Sequence, residues 1–137
     1  ISTSIAATLV LAATSATFAG TIECAPQQTA KLTADDGASD DWFGYSVATS
    51  GGVAVIGAYR DDDNGSDSGS AYVYEQQADG TWQQTAKLTA DDGDSDDWFG
   101  YSVATSGGVA VIGAYGGDDN GTDSGSAYVF EQQADGT

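Results

Sequence analysis

The chain has 137 residues, three of them cationic and twenty-one acidic, giving a formal charge of −18 with no histidine. Such a surface repels nucleic acid and anionic membranes, which excludes both as partners; it favours cations, cationic partners or a salty medium that screens self-repulsion. With no histidine, Ser-His and His-metal arrangements are excluded, and short runs of β-branched and aromatic residues argue for β structure rather than disorder.

In chain order, residues 1–19 (ISTSIAATLVLAATSATFA) carry no charge and centre on the apolar run 5–13. Thr17 and Ala19 are small residues at the positions a signal peptidase reads, so the stretch is expected to be a secretory signal whose true start is missing. It is too short and too rich in Ser and Thr for a transmembrane helix. An extracellular or cell-surface location, without membrane insertion, follows. Residues 20–26 read as a linker. Cys24, the only cysteine, cannot build a disulfide framework, so packing must hold the fold.

Residues 40–59 (DDWFGYSVATSGGVAVIGAY) return unchanged at 96–115, an offset of 56. Aligning 27–81 with 83–137 leaves five differences: Ala38/Asp94, Arg60/Gly116, Asp61/Gly117, Ser66/Thr122 and Tyr74/Phe130. A period of this size points to a propeller, a solenoid or a module string.

One repeat is predicted to be four strands. Phe43, Tyr45 and Val47 alternate with Gly44, Ser46 and Ala48, a strand with a bulky and a small face. Gly51-Gly52 suits a tight hairpin into residues 53–59, which are apolar on both faces and expected to be buried on both. A polar loop, 60–69, leads to a third strand at 70–77. Asp79-Gly80 then turns the chain into a fourth at 82–90, where Trp82, Ala86 and Leu88 are expected to share a face and Lys87 to point outward. Four antiparallel strands per repeat, stacked sheet on sheet, make a β-propeller blade. The small face of the first strand would lie where inner strands crowd around the axis. An open string of small sheets is the alternative, but each sheet alone would leave an apolar face wet.

Phe43-Gly44 followed by Gly57-Ala58, repeated as Phe99-Gly100 and Gly113-Ala114, resembles the FG-GAP repeat of integrin α-subunits and many secreted microbial proteins. The resemblance covers nearly all of the chain after residue 26 and implies an all-β propeller. Tyr59 and Tyr115 replace the motif's proline. The integrin-type calcium loop between the first two strands is absent, with Thr49-Ser50-Gly51-Gly52 in its place, so that metal site does not carry over. On this reading residues 35–90 are the first blade. Residues 91–137 are a second blade lacking its last strand. Residues 27–34 are a lone outer strand lent to close a ring, in a fragment of a longer propeller or in an assembly of several copies.

Blade geometry places sixteen of the twenty-one acids in loops on one face, with Asp79 and Asp135 opposite. Asp-rich loops stay hydrated, particularly in brine, and Asp and Asn favour turns. They are also the hard oxygen ligands that calcium requires. The candidate calcium loops are Asp61, Asp62, Asp63, Asn64 and Asp67 in the first copy, and Asp118, Asp119, Asn120 and Asp123 in the second. Paired carboxylates also cleave glycosides, yet nothing in the sequence supplies the apolar pocket that raises one pKa, and near-identical copies argue against a unique active site. No catalytic residue is therefore assigned. Trp42 and Trp98 either stack on sugars or pack between blades. The expected function is a secreted, non-catalytic binding or adhesion module that takes a protein or glycan ligand on its acidic face and has neighbouring blades as partners. A polysaccharide-acting enzyme and a structural spacer are the alternatives.

Overall fold

A computed structural model describes residues 25–133. The expected signal, Cys24, Asp135 and the chain's last four residues lie outside the described residues. The chain divides into two units between Lys31 and Leu32; residues 25–31 form no strand or helix, and every strand named below lies in the second unit.

The described strands are β1 (Ser46–Ser50), β2 (Val53–Ala58), β3 (Ser70–Gln76), β4 (Trp82–Leu88), β5 (Phe99–Ser106), β6 (Val109–Ala114) and β7 (Ser126–Glu131). They form two antiparallel sheets, β1-β2-β3-β4 and β5-β6-β7, each in sequence order. Gly51 and Gly52, at φ 55° and 80°, make the expected hairpin between β1 and β2. Both sit in the left-handed region that favours glycine. The protein is all-β, with two blade-like repeats.

The sheets stack, so the open string of separate sheets does not form. Val55 and Ala71 of the first sheet pack with Phe99, Ala110, Ile112 and Ala114 of the second, and Leu88 lies against them. Burying a residue such as Phe99 contributes about 1.5–3 kcal/mol. A second cluster, on the other side of the first sheet, holds Ile56, Ala58, Tyr72 and Tyr74, covered by Leu32, Ala34, Phe43 and Trp82. Leu32 and Ala34 thus do for the first sheet what Leu88 and Ala90, one repeat later, do for the second.

Four expectations are corrected. Residues 27–34 form no strand: their copy in β4 pairs with β3, whereas they pair with no strand among the described residues. Trp82 and Leu88 lie on opposite faces of β4, packing in different clusters. The cause is a bulge, since Val73 opposes Ala86 while Tyr74 opposes Gln84; Thr85 is the extra residue that inverts the alternation. Lys87 does not point outward but is largely buried among carboxylates. The small face of β1 turns toward the next sheet rather than the axis. Ser46 Oγ donates to the Gly100 carbonyl at 2.7 Å, and a Cβ on Gly57 would collide with that same oxygen. Small residues there let the two backbones touch, and the bulky face, with Tyr45 and Val47, is left exposed. β2 is buried on both faces at its C-terminal half, whereas in β6 Val111 is exposed because no sheet follows it among the described residues.

Candidate functional site

The β2–β3 loop and the β4–β5 connection meet at one end of the sheets, as blade geometry requires. Asp96 N donates to Ser66 O at 2.8 Å, Trp98 N to Asp67 O at 3.1 Å and Phe99 N to Ser68 O at 2.9 Å. This end carries the expected concentration of aspartates.

Lys87 organises the first copy. Its ammonium lies 2.7 Å from Asp36, 3.0 Å from Asp61 and 2.6 Å from Asp63, and 5.2 Å from the centre of the Tyr72 ring. Tyr72 Oη in turn lies within hydrogen-bond distance of Asp36 (2.9 Å) and Asp61 (2.8 Å), with one proton to donate between them. Asp61 also accepts from Asp63 N, and Asp62 from Asp67 N. Asp67 is held bidentate by Arg60, and Asn64 N donates to Ser68 Oγ. In the second copy Asp118 accepts from Asp123 N, Asp119 accepts from Ser126 Oγ at 2.6 Å, and Asn120 N donates to Ser124 Oγ. Calcium needs six to eight converging oxygens. Among the described residues the carboxylates of Asp36, Asp61 and Asp63 do converge, but on the Lys87 ammonium, and Asp67 faces the Arg60 guanidinium. As folded, the first copy's carboxylates hold the protein's own cations where an ion would sit.

The charges follow this geometry. Burial works to depress Lys87, but the hydrogen-bonded carboxylates of Asp36, Asp63 and Asp61 overcome it and hold the ammonium above its usual range. Lys87 in turn lowers Asp36. Burial, reinforced by Asp61 and Asp36, raises the Tyr72 hydroxyl strongly. Tyr128, its copy, is pushed up to about 12 by burial and then by its hydrogen bond to Asp92.

At the same end runs a band of aromatic rings. Trp42 contacts Tyr45 and Tyr59; Tyr101 contacts both of these tyrosines and Tyr115; Tyr115 stacks on Trp98 at 5.5 Å and 12°. Trp42 is 49% exposed and Tyr115 60%. Both tryptophans have left-handed backbones, at φ 57° and 58°. That conformation costs a bulky L-residue about 1–2 kcal/mol. Backbone hydrogen bonds on either side hold it, from Tyr45 N to Trp42 O and from Tyr101 N to Trp98 O. Arg60 lies 5.7 Å over the Trp42 ring. Trp42 and Trp98 therefore pack on neighbouring rings while Trp42 also offers a face to solvent.

Sequence reasoning missed two things: the Lys87 cluster and the extent of the aromatic band. A usable signal for the first was present, because two of only three cations, Lys31 and Lys87, fall at the same repeat position. Tyr45 and Tyr101, joined by a hydroxyl–hydroxyl bond of 3.2 Å, stand exactly one repeat apart, so the second was also encoded in the period.

No helix among the described residues is long and apolar enough to cross a membrane. No curated protein matches the chain. The FG-GAP repeat matches residues 26–74 and again residues 82–130, more than half the sequence and with the same 56-residue offset as the repeat. By its paired sheets and by this match, the chain belongs to the FG-GAP repeat family.

Proposed function

We propose that the chain is a secreted, non-catalytic binding module whose contact surface is the aromatic band on the acidic end. The observation that carries this is the strained, half-exposed Trp42 within a continuous row of rings. Left-handed bulky residues persist where the surroundings enforce them, and they cluster at ligand clamps. Exposed apolar patches rimmed by polar groups mark interaction sites.

The chemistry suits a glycan. Flat rings accept the apolar face of a pyranose, and the neighbouring aspartates accept hydrogen bonds from its hydroxyls. Carboxylates at this end are braced by backbone amides, hydroxyls and cations, which favours holding a ligand over proton transfer. Glycan-array binding without sugar release is the expected result, with Trp42→Ala weakening binding about tenfold. Absence of binding to any glycan, or release of sugar, sinks the proposal; the first outcome leaves a spacer and the second an enzyme.

A further inference from the structure

The two sheets meet through unlike faces, and residues of the same two kinds of face are exposed again at the outer sides of the pair. On the first sheet, Val55 and Val73 look toward the second; Val55 is 1% exposed. Their copies on the second sheet, Val111 and Val129, are 38% and 61% exposed. Val103 of the second sheet packs back against the first, while its copy Val47 is 67% exposed. The exposed face of the second sheet therefore has the composition that the first sheet uses to receive a neighbour, and the exposed side of the first sheet is the neighbour's.

Charge completes the match. β7 is an edge among the described residues, where β3 has β4 beside it. Tyr72 on β3 opposes Lys87, whose ammonium sits between Asp36, Asp61 and Asp63. Tyr128, Asp92 and Asp119 repeat that arrangement, but no ion pair to Asp92 or Asp119 is formed among the described residues, and Gly117 stands for Asp61. Lys31 is exposed and lies in QQTAKLTA, a segment identical to residues 83–90.

We infer that β7 and the outer face of the second sheet bind a second copy of this chain, head to tail. The incoming copy lays residues 27–32 antiparallel along β7, with Lys31 opposite Tyr128 and Leu32 opposite Ala127, the register that β4 keeps with β3. Lys31 sits between Asp92 and Asp119, drawing Asp119 off Ser126. In the first sheet that exchange has already taken place: Asp63 is on Lys87, and the buried Ser70 Oγ has no partner among the described residues. Leu32 and Ala34 of the incoming copy keep their packing on its own first sheet, as Leu88 and Ala90 span two sheets here. A contact between unlike faces propagates until it closes.

The test is sedimentation of the full chain across concentration, with circular dichroism to verify folding. A discrete oligomer is expected. Lys31→Glu, at an exposed position, should raise the dissociation constant about thirtyfold, and adding Asp92→Lys to that variant should restore assembly. Val111→Glu, on the uncovered face, should also give folded monomers. A wild-type monomer at tens of micromolar overturns the inference, as does an oligomer that persists unchanged in both Lys31→Glu and Val111→Glu.

Discussion

Tyr72 and Tyr128 hold the same place in two sheets of almost identical sequence, yet one is wholly buried and the other only partly. Ala71 is inaccessible and its copy Ala127 is exposed; Ser68 is buried and Ser124 exposed. The residues match, so the difference belongs to the surroundings. The first sheet has a fourth strand along one edge, a second sheet on one face and Leu32–Ala34 on the other. The second sheet has a neighbour on one face. A blade's interior is thus a property of position in the array, and stability accrues from adjacent units rather than within each one.

The largest expected effect tests this at paired phenylalanines. Phe99 is fully buried between the sheets, whereas Phe43 is only half-buried under Leu32 and Ala34. Phe99→Ala should cost about 4 kcal/mol in chemical denaturation, and Phe43→Ala about half that. Equal losses would mean that position in the array is irrelevant.

Next comes Lys87→Met, which strips the first sheet of its ammonium and leaves Asp36, Asp61 and Asp63 facing one another. A loss of about 2 kcal/mol is expected, below the roughly 3–5 kcal/mol of a fully buried broken pair because Asp36 and Asp63 are half-exposed. Millimolar calcium should recover part of the melting temperature in this variant beyond matched ionic strength, since the carboxylates are then free. A variant as stable as the parent would break the contrast between the two copies.

The smallest effect is in pH. Tyr128 has a folded pKa near 12 against an ordinary 10.0, and Tyr72 is raised further. A raised folded pKa gives stability that is complete below about pH 10 and is lost as pH climbs through the folded value. Melting temperature should therefore fall above pH 10, with Tyr72→Phe flattening that limb more than Tyr128→Phe. Asp36 works the other way. Its lowered pKa makes its contribution complete above about pH 3.8 and lost as pH falls through the folded value, so Asp36→Asn should flatten the acid limb.

Much of the fold was legible in the sequence because the period states it directly. Gly51-Gly52 and Asp79-Gly80 place their turns by the positive φ that glycine accepts, and the loops at the acidic end follow from strand count alone. The bulge at Thr85 was not legible, since nothing local distinguishes an extra residue from continued alternation, and it reversed the faces of Trp82 and Leu88. The lysine cluster was hidden for another reason: Asp36 is 51 residues from Lys87, and the packing of Leu32 and Ala34 on the first sheet brings them together. The left-handed tryptophans had no signature either, because that backbone is imposed by bonds from flanking loops against the side chain's own preference.

The contact between Ser46 and Gly100, like that between Tyr45 and Tyr101, joins a residue to its counterpart's immediate surroundings one period on. Such a contact is written in the gene as a rule of spacing, not as a pair of independent codons. Gain or loss of a whole 56-residue segment by recombination between the copies would bring both matching faces with it and leave every junction intact. An insertion of any other length would misalign all of them together. A coding sequence built this way changes by entire blades far more readily than by residues at its junctions, where one altered codon in the duplicated stretch must suit two neighbours.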